Sequence, residues 1–195
     1  MFNLLLNIDK CRIVLLMAHI HTNPGEHDPT ASAFIIRTDT VEPKLLLHVH
    51  KKLGVLLQTG GHIEVTETPW QAVCHEITEE TGYKLDQLKI LQPPVRIKSL
   101  TGASLHPQPV VHNTHNFDPE GIHKHTDISY AFITEGDPQN RPDEGESVIF
   151  RWVDVAELRA IETNKIFENV REIGKFVLTE ILSKWEAVDL TDFEN

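Results

Sequence analysis

The chain has 195 residues, 40% of them apolar and 24% charged, with a formal net charge of −11. That length suits one domain, 1–195, with a sizeable core, and so acidic a balance excludes a surface that grips a nucleic-acid backbone through clustered Lys and Arg. No run approaches the ~20 apolar residues of a bilayer span, and the two cysteines, Cys11 and Cys74, form neither a disulfide framework nor a CxxC pair, which places the chain in a reducing, cytoplasmic compartment.

In chain order, Leu4, Leu5, Ile8, Leu15 and Leu16 predict a short helix over about residues 1–20. No basic region precedes this stretch, and Asp9, Lys10 and Arg12 interrupt it, so it does not read as a signal peptide. Asn23 to Pro29 is a loop by its breakers. Ala31–Arg37 and Lys44–His50 are predicted strands joined by a turn at 39–43, and Val55–Thr59 is a short extended piece that runs into Gly60-Gly61. A helix follows over the seventies. Ile90–Val95 and Gln108–Asn116 are predicted extended, 117–124 a turn, and Thr126–Thr134 a strand. The polar, Pro-containing stretch Gly136–Gly145 is a loop, and Ser147–Val153 a further strand. Ile166, Phe167, Val170, Ile173, Phe176, Val177, Ile181 and Trp185 recur at helical spacing, which predicts one long C-terminal helix over about 164–187.

The stretch Gly61–Tyr83 carries the chemistry. Thr68 is placed as N-cap, Pro69 at the first helical position and Gln71 as the reciprocal member of a capping box, while Gly82 ends the helix. At 3.6 residues per turn, Glu76, Glu79 and Glu80 share one face and Trp70, Val73, Cys74 and Ile77 another. Like charges at that spacing destabilise a helix unless a cation lies between them. A hard, oxygen-seeking ion such as Mg²⁺ is the natural occupant, with Mn²⁺ as the alternative. The two adjacent glycines leave a backbone carbonyl, that of Gly60, able to approach the ion.

This arrangement resembles the Nudix box: a glycine, five residues, Glu, seven residues, then Arg-Glu-aliphatic-x-Glu-Glu-x-Gly-aliphatic. Gly61, Glu67, Glu76, Ile77, Glu79, Glu80 and Gly82 match in register. His75 stands where the pattern has arginine, and Tyr83 where it has an aliphatic residue. The resemblance reaches from about Thr30 to Leu158 and implies an α/β fold, a Nudix-type α/β/α sandwich on a mixed sheet. It also implies a metal-dependent hydrolase that cleaves a nucleoside diphosphate linked to another moiety. The expected catalytic set is Glu76, Glu79, Glu80 and, as the base on a later loop, Glu146 ahead of Glu144. Glu76, Glu79, Glu80 and the Gly60 carbonyl are the expected metal ligands, and Glu67 is expected to orient the loop or a water.

Twelve histidines are the other unusual feature. His112-x-x-His115 and His123-x-His125-x-Asp127 invite a zinc reading, since alternate strand residues face one side. They equally suit a pocket that donates to a phosphate or a base, or ordinary surface and core positions. A subgroup of Nudix proteins is similar beyond the box, in Pro29-Thr30-Ala31-Ser32-Ala33, Lys51-Lys52-Leu53-Gly54, Gly60-Gly61-His62 and His123 to Asp127. On that resemblance His50, Lys52, His62, His123, His125 and Asp127 are expected to bind substrate. The expected partner is a small phosphorylated, nucleotide-derived molecule; a nucleic-acid polymer and a membrane are not expected, and the protein partner in view is a second copy of the chain. Two other readings are open: a catalytically weak domain that senses a nucleotide or sugar phosphate, and an interaction protein that docks through the Ile166–Trp185 helix. The arginine-rich signature of coenzyme A pyrophosphatases and the SQPWPFPxS array of dinucleotide pyrophosphatases are both missing from the sequence.

Overall fold

A computed structural model describes residues 23, 25–51, 53–117, 121 and 123–193; the helix expected over 1–20 lies outside them. The elements run β1 (His27–Arg37), β2 (Lys44–Val49), β3 (Leu56–Leu57), β4 (Thr59–His62), α1 (Pro69–Thr81), β5 (Lys89–Gln92), β6 (Val111–Asn116), β7 (Lys124–Thr134), β8 (Phe150–Val153), α2 (Val155–Ala160), α3 (Glu168–Phe176) and β9 (Glu186–Asp189). They form an α/β fold on one mixed nine-stranded sheet, with the path β3-β2-β1-β7-β5-β9 and β4, β6 and β8 paired to β1, β7 and β2.

The sheet is organised by β1 and β7, parallel over eleven residue pairs from His27↔Lys124 to Arg37↔Thr134. Each of these two strands changes its outer neighbour along its length. β1 pairs β4 through Thr30–Ala33 and β2 through Ile36 and Arg37. β7 pairs β6 through 124–129 and β5 through Phe132 and Ile133. The alternation of β1 distributes its side chains between two layers: Ala31, Ala33 and Ile35 pack with Trp70, Val73 and Ile77 of α1, while Phe34 and Ile36 pack with Leu158, Val170 and Val177. Helices therefore cover both faces, as an α/β/α sandwich requires.

Three expectations need correction. The breaker-rich segment before Thr30 is not wholly loop, because β1 begins at His27. Pro29 can sit inside β1: its missing N–H removes only a donor, and its carbonyl still accepts from the Ile63 N–H at 3.0 Å. The long C-terminal helix is also broken up. Residues 168–176 are α-helical, but Val177–Ile181 widen into a π turn with the Leu182 N–H donating to the Val177 carbonyl, and the chain turns back to add Glu186–Asp189 as edge strand β9 beside β5. Ile166 belongs to neither, since it bridges to Leu56. Much of the apolar stripe of this segment is taken by the core, where Ile166, Val170, Val177, Leu178 and Ile181 are buried, while Phe167 and Phe176 stay exposed. The single long helix that a docking role was expected to use is absent. Among the described residues, no helix is long and apolar enough to cross a membrane.

Candidate active site

Local sequence builds α1 as expected. Thr68 is the N-cap with a complete box: the Gln71 N–H donates to Thr68 Oγ1 and the Thr68 N–H to Gln71 Oε1. Gly82 ends the helix at φ +75°, and any side chain there would meet the Asn140 carbonyl, with a Cβ 2.5 Å from its oxygen. Trp70, Val73 and Ile77 turn into the core, so the acidic face is presented to the Gly60-Gly61 strand.

The fit there is close. Glu80 is only 8% exposed, and its Oε2 accepts the Gly60 N–H at 2.9 Å. A Cβ on Gly61 would stand 2.0 Å from Glu76 Oε1, so glycine is what lets that carboxylate lie against the strand. Burial pushes Glu76 up to about 7, with the Glu79 charge adding to it and His75 opposing. Burial likewise pushes Glu80 up to about 8 against the pull of the Gly60 N–H, with Glu76, Glu146 and Glu79 raising it further. Crowded carboxylates held near neutrality are the electrostatic condition of a cation site.

His75 takes the bridging position on this face. Its Nε2 lies 2.8 Å from Glu79 Oε1 and its Nδ1 3.3 Å from Glu67 Oε1. Burial acts against its charge, but Glu79, Glu67 and Glu76 outweigh that and hold the imidazole above its ordinary value. One short side chain thus ties the residue before the helix to the helix itself.

The loop after β7 closes over the end of α1. The Asp143 N–H donates to the Glu79 carbonyl at 2.8 Å, the Asn140 N–H to the Gly82 carbonyl at 3.1 Å, and Lys51 Nζ to the Gly145 carbonyl. Glu146, whose N–H bonds the Asp143 carbonyl, is half-buried and close enough for its charge to act on both Glu76 and Glu80. Glu144 is exposed.

A cleft of about 410 Å³ opens above these carboxylates. Glu67, His75, Glu76, Glu79, Glu80, Gly60, Gly61, His50, His62, His125 and Asp127 all line it. Lys52 lies outside the described residues, and His123 does not line the cleft but stands behind it on Asp28. Asp127 is already saturated with hydroxyls: Thr30 and Ser32 donate to its Oδ1 at 2.9 and 2.7 Å, and Ser129 to its Oδ2 at 2.6 Å. The His112-x-x-His115 pair does not converge, because residues three apart on β6 face opposite sides; His112 is exposed and His115 turns inward.

The structure adds residues that sequence reasoning missed. His48 is buried in the cleft wall, and burial, with His50 beside it, pushes it down to about 4, so it is neutral at ordinary pH. Asn113 and His115 line the opposite strand, joined by a 3.0 Å contact between His115 Nδ1 and Asn113 Oδ1. Asp28 has no solvent exposure and lies 3.2 Å from His123 Nε2 and 3.6 Å from His62 Nε2. Its signal was present as the alternation Asp28, Thr30, Ser32, but the loop reading concealed it.

Comparison with known proteins bears on the family and the fold. The family model described as NUDIX domain matches residues 26–172. A crystal structure of a NUDIX-family hydrolase from Clostridium perfringens superposes with a TM-score of 0.63 at 32% identity, over 78% of this chain and 97% of that one. A Caenorhabditis elegans Ap4A hydrolase complex shares the fold at a TM-score of 0.55 and 19% identity, over 76% of this chain and 94% of its own. A Caenorhabditis elegans protein described as "Putative nudix hydrolase 1" is 27% identical over 175 residues; they make up 88% of this chain but 38% of that relative, so the chain spans about two fifths of its length.

Proposed function

The chain belongs to the Nudix family, and on that footing we propose that it hydrolyses a phosphoanhydride bond in a nucleoside diphosphate linked to another moiety, with Mg²⁺ as its ion and Mn²⁺ as an effective substitute. The observation that carries this reading is the pair of carboxylates packed on the Gly60-Gly61 strand at one wall of the cleft, Glu80 buried and bonded to the Gly60 N–H and Glu76 half-buried against Gly61; both are pushed up by burial, to about 7 for Glu76 and about 8 for Glu80. A divalent ion fits that donor set, since it compensates the carboxylate charges that burial disfavours and offsets their mutual repulsion. Glu76, Glu79 and Glu80 would hold it, with the Gly60 carbonyl. When bound, such an ion neutralises charge that develops on phosphate oxygens and lowers the pKa of a water.

The chain's own groups do the rest. Glu146 is proposed as the base, because it reaches the same carboxylate field from a separate loop and takes up a water proton there. Its loop is tied to Glu79, Gly82 and Lys51, so the backbone that carries it is held in position. His75 fixes Glu67 and Glu79 and leaves Glu76 and Glu80 facing the cleft. His50, His62 and His125 supply nitrogen donors along the wall to an anionic substrate. The Ap4A hydrolase with the same fold supports a nucleotide-derived substrate. The two cysteines, without a disulfide framework, support a cytoplasmic location.

A screen of ADP-ribose, sugar nucleotides, dinucleoside polyphosphates and nucleoside triphosphates, read by phosphate release across a Mg²⁺ titration, tests the proposal. Turnover that vanishes without divalent metal is the expected result. Tight binding of a nucleotide without turnover at saturating Mg²⁺ would replace hydrolysis with a sensing role.

A further inference from the structure

Beside the glutamate set, a second group of metal-ligating side chains is assembled from three separate strands. Asp28 and His125 are direct partners on the parallel strands β1 and β7. His123 precedes β7 by one residue, and His62 ends β4 opposite Thr30, one same-face position along β1 from Asp28. One donor atom from each of Asp28, His123 and His125 falls within 4.8 Å of the others, and His62 Nε2 lies 3.6 Å from Asp28 Oδ2. In a tetrahedral site with metal–nitrogen bonds of 2.0–2.1 Å the ligand atoms stand ~3.4 Å apart. The 3.2 Å between His123 Nε2 and Asp28 Oδ2 and the 3.6 Å to His62 bracket that spacing.

We propose that Asp28, His123 and His125, completed by His62, form a site for a zinc-class transition-metal ion, distinct from the glutamate site of α1.

Asp28 has no solvent exposure, and three imidazole rings gather on it, their centroids 5.1 Å apart for His62–His125 and 5.4 Å for His123–His125. A divalent ion suits that donor set, because it takes neutral imidazole lone pairs and a carboxylate together. Imidazole donors select this class over Mg²⁺ and Ca²⁺, and a central carboxylate argues against phosphate as the occupant. The ring of His125 is also held in place, stacked on Phe117 at 4.6 Å and 21°. His62 and His125 line the cleft, so the ion would place a fixed positive charge on its wall.

The test is metal uptake, not turnover, and so stands apart from the hydrolase proposal. The full chain, stripped with chelator, is titrated with Co²⁺ and Zn²⁺ in the presence of excess Mg²⁺. The expected result is one equivalent of Co²⁺ with ligand-field absorption, displaced by Zn²⁺ and retained in Glu80→Gln. Affinity should fall by at least about 100-fold in His123→Gln and in His125→Gln. Asp28→Asn is a third variant; the two histidine variants decide the matter if that buried substitution fails to fold. Circular-dichroism melting of the stripped proteins confirms that each variant compared is folded. Absence of uptake by the wild type, uptake undiminished in both histidine variants, or loss of the absorption in Glu80→Gln would each overturn the proposal.

Discussion

The glutamate face of α1 and the histidine group at the start of β1 and β7 line or back one cleft, yet they are built in opposite ways. The first is local: Glu67, His75, Glu76, Glu79 and Glu80 lie within fourteen residues, the last four brought together by helical periodicity and Glu67 joined to them just before the N-cap through His75. The second draws on residues up to ninety-seven positions apart and exists only because β1 and β7 run parallel in one register. The difference teaches where chemistry can be read from a chain. A site carried by one helix is a property of its sequence, whereas a site carried by a sheet is a property of its pairing.

If the two groups are separable in this way, substitutions in α1 should abolish turnover and leave the histidine group intact. The largest effect is expected for Glu80→Gln, which keeps the shape and the acceptor for the Gly60 N–H but removes a charge. Turnover on any good substrate should fall by about 100- to 1,000-fold, about 3–4 kcal/mol of barrier, with weaker Mg²⁺ activation. Unchanged kcat at saturating metal would remove Glu80 from the site.

Gly61→Ala should come next. Its Cβ would displace the end of Glu76 rather than backbone, so the fold should survive while Mg²⁺ half-saturation rises and kcat drops about tenfold, on the scale of a misplaced catalytic group. A parallel measurement of melting temperature separates this from unfolding; wild-type kinetics would show that Glu76 need not lie against the strand.

His75→Arg is expected to be milder and to have a pH signature. The imidazole is held charged above its ordinary range by Glu79, Glu67 and Glu76, so activity that needs the cation should fall as pH rises through the folded pKa. Guanidinium stays charged, and the variant should keep or exceed wild-type activity on the alkaline side. Superimposable alkaline limbs in the two pH–rate profiles would show that charge at position 75 is irrelevant; an inactive, folded variant would mean that the imidazole has a role of its own.

The last effect is read in stability, not in turnover. Glu76 and Glu80 have folded pKa values raised to about 7 and about 8 by burial, so the native state binds more protons than the unfolded chain between the ordinary carboxylate range and pH 8. Their contribution is complete below that range and is lost as pH rises through 7 and 8. In chelator, the melting temperature should therefore decline by on the order of ten degrees or more between pH 5 and 8, and Mg²⁺ should offset most of that decline. Calorimetry with and without the ion isolates the effect; equal slopes would mean that the ion does not bind these carboxylates.

What was legible in the sequence follows the same division. The N-cap, the capping box, the αL glycine and the acidic face of α1 depend on neighbours within four residues, and all are in the structure where the spacing puts them. Asp28 reads as loop in the sequence, because Pro24, Gly25 and Pro29 punctuate its surroundings and because the β1–β7 pairing that makes it a strand residue is not a local property. Asp127, which alternation groups with His123 and His125, is taken instead by Thr30, Ser32 and Ser129, two of them on the neighbouring strand. The C-terminal helix was overextended for a related reason. Ile181 and Trp185 keep helical spacing, but the free edge of β5 captures Glu186–Asp189, and a π turn with no sequence signature makes room for the reversal.

The pairing of β4 with β1 also makes the cleft a ruler. Gly60, bonded to Glu80, stands opposite Ser32, and Asp28 lies four residues back along the same strand. At ~3.3 Å per residue that interval is about 13 Å along the backbone, set by hydrogen-bonded strands and not by any flexible side chain. An ion held at one group and an ion held at the other would therefore stay about that far apart, whatever the side chains between them do.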